Sequence, residues 1–72
     1  MNKDLSEKIG LSIRKLRINQ NISLMELSDK SDIEYNNLIR IEKGRTNPTL
    51  STLYKISEAL NVKLSDIFNI EY

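Results

Sequence analysis

Apolar side chains recur at helical spacing along the whole chain, and no stretch alternates in the manner of a strand. Leu5, Ile9, Ile13 and Leu16 fall on one face of a first helix predicted at about residues 4–20. Gly10 interrupts it at a propensity cost of roughly 1 kcal/mol, tolerable where a neighbouring helix packs against that spot. Gln20-Asn21-Ile22 breaks the pattern. Ser23 and Glu26 then form an S-x-x-E capping box, each side chain satisfying an orphan backbone N–H, and open a second helix at about 24–31. Leu24, Leu27 and Ser28 share its inner face, with Ser28 small enough for close helix approach. A third helix, at about 35–43, turns Leu38, Ile41 and Glu42 inward, and Gly44 stops it as a left-handed residue. Asp32 occupies the turn between helices two and three, and Asp tolerates left-handed backbone better than most residues. Arg45 to Thr49 is a loop, because Pro48 biases its predecessor away from helix. Thr49 can cap a fourth helix at about 50–60, with Leu50, Leu53, Ile56 and Leu60 inward. A short fifth helix at about 64–69 adds Leu64, Ile67 and Phe68. The fold class is therefore all-α, with five helices in one domain over residues 1–72.

Seventy-two residues lie near the lower limit for a core without staples. The chain has no cysteine and no histidine, so disulfides and the common metal sites drop out, and no cofactor is expected. No apolar run approaches the roughly 20 residues of a membrane span, and the N-terminus MNKDLSEK lacks a secretory apolar region. The expectation is a cytoplasmic protein with no membrane partner. Paired carboxylates and glycine-rich phosphate loops are also missing, which leaves no constellation for an enzyme. With the whole chain used by one small domain, no sensing domain is expected, and control falls to concentration, dimerisation or a partner protein.

Net charge is only +1, so its distribution matters more than its sum. Residues 1–20 carry a local +3, from Lys3, Lys8, Arg14, Lys15 and Arg17 against Asp4 and Glu7. Residues 21–42 carry a local −3, with Lys30 and Arg40 against Glu26, Asp29, Asp32, Glu34 and Glu42. Lys43 and Arg45 follow directly after the third helix.

That third helix turns Tyr35, Asn36, Asn37 and Arg40 outward. An arginine can bridge O6 and N7 of guanine, and an asparagine can pair bidentately with adenine. Arg40 and Asn36 are thus candidates for base contact, the alternative being ordinary solvated groups. Tyr35 can stack on a base, bond a phosphate or simply pack over the turn. Glu34 could accept from cytosine N4 or repel phosphates. Lys43 and Arg45 are either phosphate contacts or loop charges favourable to the helix dipole. Ser23 and Leu24 direct the start of the second helix, with its backbone N–H groups, towards a phosphate.

Four motifs in register carry a resemblance: IRKLR on the first helix, SLMEL on the second, LxxIExG closing the third, and P-x-x-x-TLxKIxxAL on the fourth. Over residues 9–68 the chain resembles the phage-repressor-like (Cro/CI, or XRE) DNA-binding domains. The resemblance implies a lambda-repressor-like five-helix fold with a helix-turn-helix at the second and third helices. It implies base contacts from Tyr35, Asn36 and Arg40, phosphate contacts near Asn37, and a following loop, here with Lys43 and Arg45, touching the DNA backbone. It implies an ion pair between Arg17 and Glu42 joining helix one to helix three. Family members commonly dimerise through the fifth helix and the loop before it. Val62, Leu64, Ile67, Phe68, Ile70 and Tyr72 are more apolar than a chain end needs; some close the core, and the rest form a candidate dimer interface. A two-fold dimer would set two recognition helices about 34 Å apart, one turn of B-DNA.

The expected function is a sequence-specific transcriptional regulator, a small homodimer on a pseudo-palindromic operator near its own gene, of restriction–modification controller or phage/plasmid repressor type. Double-stranded DNA and a second copy of the chain are its expected partners, with RNA polymerase as a further candidate. The alternative is a protein-interaction module of antitoxin or anti-regulator type, suggested by the low net charge. The side chains at the reading positions depart from the commoner Gln, Ser and Thr, so the operator cannot be taken from a relative.

Overall fold

Helix ends are set by a few residue types at fixed places in this chain. The computed structural model describes residues 3–71 and shows among them five helices and no strand. These are α1 (Lys3–Asn19), α2 (Leu24–Ser31), α3 (Tyr35–Glu42), α4 (Leu50–Ala59) and α5 (Leu64–Ile67). The predicted helices are all present, with shifts of one or two residues at their ends. Tyr72 lies outside the described residues.

Ser23 caps α2 through both bonds of the capping box: the Glu26 N–H donates to Ser23 Oγ at 3.0 Å, and the Ser23 N–H donates to Glu26 Oε1 at 3.2 Å. Thr49 caps α4 by accepting from the Thr52 N–H at 3.1 Å. Each of the four connections contains one left-handed residue: Asn21, Asp32, Gly44 or Asn61. Three of them close a Schellman motif, in which two amides after the helix return to its last free carbonyls. In α1 the Asn21 and Ile22 amides donate to Ile18 and Arg17, and in α4 those of Asn61 and Val62 donate to Glu58 and Ser57. In α3 the amides of Gly44 and Arg45 donate to Ile41 and Arg40.

The helices enclose a core in which Ile9, Ile13, Leu27, Leu38, Ile56, Leu60 and Ile67 are inaccessible to solvent. α1 packs on α3 and α5, while α4 packs on α2 and α5. Leu5, Leu16, Leu24, Val62, Leu64, Phe68 and Ile70 lie half-buried around this centre.

Three expectations need correction. Leu50 is 68% exposed rather than inward: the buried stripe of α4 is Leu53, Ile56, Ser57 and Leu60, and Leu50 sits beyond its end at the first helical position. The small residue buried in α2 is Ser31, not Ser28, which instead donates to the Ile33 carbonyl at 2.6 Å and ties down the turn. Ile67 is 0% exposed, so it closes the core and offers nothing to a second chain. Of the residues assigned to a dimer interface, Val62, Leu64, Phe68 and Ile70 keep some accessible surface.

Candidate nucleic-acid interface

Two glycines let α1 lie across the C-terminal end of α3. A Cβ on Gly10 would stand 2.6 Å from the Glu42 carbonyl oxygen and closer still to that of Ile41. Backbone therefore meets backbone at that point, which explains a glycine in mid-helix. Gly44, with φ of 71°, meets the backbone of Glu7 in the same way.

Arg17 then locks the crossing. Its Nε and Nη2 donate to the two carboxylate oxygens of Glu42 at 2.7 and 3.0 Å, and Nη1 donates to the Ile22 carbonyl at 2.9 Å. The two side chains are 12% and 6% exposed. The Glu42 hydrogen bonds raise the pKa of Arg17 above its ordinary value despite the opposing effect of burial. Both charged groups are thus consumed inside the fold, and α3 is held rigidly against α1 and the start of α2.

On the outer side of α3, Tyr35, Asn36 and Arg40 are exposed and Asn37 is half-buried. Glu34, the residue before the helix, is exposed and makes no side-chain cap. At the start of α2, Ser23 satisfies the Glu26 amide, which leaves the Leu24 and Met25 N–H groups with no intrahelical acceptor. The Ser23 oxygen accepts that bond while its own proton is still available to an anion.

The loop after α3 is positioned as firmly as the helix. Arg45 occupies the position in its Schellman motif that Ile22 and Val62 hold in the other two. That position commonly makes an apolar contact with the helix; here it carries an exposed guanidinium instead. This substitution of a cation for an apolar residue is a signal that sequence inspection could have used. Ser6, buried on α1, donates from Oγ to Asn47 Oδ1 at 3.0 Å and moors the far side of the loop. Lys3, Lys43 and Arg45 line a shallow polar groove beside this bond, with Glu7 as its only acid. Neither Lys3 nor the Ser6–Asn47 bond was evident from the sequence, because both depend on the crossing of α1 over the loop.

The positions assigned to base contact are therefore exposed on α3, Asn37 lies half-buried on the same helix, and Leu24 and Lys43, from the start of α2 and the residue after α3, line one cleft at the C-terminal end of α3. A helix-turn-helix family model matches residues 13–67. The chain belongs to the helix-turn-helix family. It is 34% identical over 56 residues to an uncharacterized helix-turn-helix-type transcriptional regulator of Archaeoglobus fulgidus, covering 78% of this chain and 79% of that protein. The immunity repressor of Bacillus phage phi105 is 32% identical over 63 residues, which are 88% of this chain and 44% of the repressor. Among solved structures, the restriction–modification controller protein C.AhdI from Aeromonas hydrophila superposes with a TM-score of 0.84 at 26% identity, covering 86% of this chain and 94% of its own. The five helices of this helix-turn-helix protein thus follow an arrangement known from regulators.

Proposed function

We propose that this helix-turn-helix transcriptional regulator acts as a homodimer on a pseudo-palindromic operator near its own gene. One observation carries the reading: Tyr35, Asn36 and Arg40 form an exposed polar face on a helix that Gly10 and the Arg17–Glu42 pair hold rigidly. A major groove admits such a helix, and the three side chains supply stacking, an adenine pair and a guanine pair. Phosphate contacts from Ser23, Leu24, Asn37, Lys43 and Arg45 set the register without reading sequence. The similarity to a phage immunity repressor and to a restriction–modification controller supports DNA as the ligand. No catalysis is assigned to the protein, and its place of action is the cytoplasm, where its operator would be.

A dimer would use Val62, Leu64, Phe68 and Ile70, which stay half-exposed around α5. Two-fold symmetry would then place the two α3 helices about one DNA turn, or 34 Å, apart. Footprinting on the DNA upstream of the protein's own gene tests the reading. Two protected half-sites, centred one turn apart, are expected; a single unsymmetrical site, or protection only elsewhere, would count against an autoregulatory dimer.

A further inference from the structure

We propose that Arg14 and Lys43 grip one backbone phosphate of the bound duplex across a cleft between α1 and α3. The first helix then belongs to the DNA interface; the inference rests on the DNA-binding reading above. No role attached to Arg14 in the sequence, where it is one of five cations in the first twenty residues.

The structure separates these cations. Lys8 pairs with Asp4 at 3.4 Å. Lys15 lines a groove on the α5 side of α1 that also contains Asp66 and Glu71. Arg17 is committed to Glu42 and the Ile22 carbonyl. Arg14 is exposed, and among the described residues it has neither an ion-pair nor a hydrogen-bond partner.

Its position follows from the α1–α3 crossing. Gly10, Arg14 and Arg17 stand four and three residues apart, which places them in one stripe along the helix. Gly10 touches the carbonyls at the end of α3, and Arg17 bonds Glu42. Arg14, between them, is therefore brought to the same helix end, where Lys43 is the next residue. The two cations flank a cleft of about 260 Å³ that Leu24, Ile39 and the Arg17–Glu42 pair complete. A water takes up about 30 Å³, so a phosphate group fits with part of its hydration.

Charge selects the ligand. Glu42 is neutralised by two hydrogen bonds from Arg17 and does not repel an anion, so the lining carries two uncompensated positive charges. Arginine offers a planar fork suited to two phosphate oxygens, and lysine adds a point charge from the α3 end of the cleft. The cleft adjoins Leu24, the first residue of α2, which already belongs to the proposed phosphate-contacting edge.

The test is a fluorescence-anisotropy titration of a mixed-sequence DNA duplex over a salt series. It compares wild type, Arg14→Gln, Arg14→Lys and Lys15→Gln, each checked for folding by circular dichroism. Each phosphate contact contributes about 0.9 to the slope of log affinity against log salt. Arg14→Gln should flatten the slope by about that amount, while Arg14→Lys and Lys15→Gln retain the wild-type slope. A folded Arg14→Gln that keeps the wild-type slope on a duplex bound by wild type overturns the clamp and leaves the DNA reading standing. A folded wild type that binds no duplex at low salt overturns both.

Discussion

Replacing Gly10 by alanine sets two well-characterised effects against each other, and the structure decides the sign. In a helix interior, alanine is more favourable than glycine by about 1 kcal/mol, so on propensity alone Gly10→Ala stabilises the protein. The new methyl, however, would stand 2.6 Å from the Glu42 carbonyl oxygen and 2.9 Å from its carbon. These neighbours are backbone at a helix end, already fixed by the α3 Schellman motif, and cannot turn aside like a side chain. Ordinary contact begins at 3.4 Å, so α1 and α3 must part by roughly 1 Å, an overpacking that typically costs about 1–3 kcal/mol. The same movement stretches the Arg17–Glu42 bonds of 2.7 and 3.0 Å nearby. With the propensity gain subtracted and the strained ion pair added, the net expectation is a loss of about 1–2 kcal/mol, a large fraction of the stability of a small domain. Urea unfolding followed by circular dichroism measures it: the midpoint should fall with the slope unchanged. A variant that unfolds at the wild-type urea concentration or higher refutes the tight crossing, and with it the explanation for a mid-helix glycine.

Further outcomes follow from the same structure. Glu42→Gln leaves Arg17 charged, almost buried and without its counter-ion, and should cost about 3 kcal/mol or more in the same assay. Pairing it with Arg17→Met should recover part of that loss, whereas a DNA-contact role for Arg17 predicts no recovery of stability, because none would have been lost. Asp32→Gly relieves a left-handed residue at φ of 57° and should stabilise by about 0.5–1 kcal/mol, while Asp32→Val at the same place destabilises. If the proposed dimer forms through this face, Ile70→Glu should weaken self-association roughly tenfold or more in sedimentation experiments, a change of at least about 1.4 kcal/mol. Unchanged sedimentation would remove Ile70 from the interface.

The parts of this fold legible in the sequence are those with local causes. The capping box at Ser23, the stop at Gly44, the left-handed Asp32 and the cap at Thr49 each depend on residues a few positions apart. Helical periodicity located all five helices, because each buries a stripe against the same core. Leu50 misled because periodicity continues a stripe to the helix end, whereas only packing shows where the stripe loses its neighbour. Ile67 misled for the opposite reason: an apolar residue near a chain end suits a core and an interface equally, and only the fold assigns it to the core. At the site, the outward face of α3 was visible from spacing alone. The roles of Arg14, Ser6 and Asn47 were not, since these residues gain their neighbours from the crossing of α1 over α3 and the following loop.

The claim that matters most is that α3 reads bases, and selection from random duplex DNA tests it most directly, with wild type beside Arg40→Ala. Arg40 is exposed, so the variant should fold like wild type, and circular dichroism verifies this. Wild type is expected to enrich an inverted repeat, and Arg40→Ala to lose or relax one position in each half-site, equivalent to about 1–3 kcal/mol of discrimination. A folded wild type that enriches no sequence, or an Arg40→Ala variant that enriches the same repeat with the same stringency, would contradict base reading by this helix.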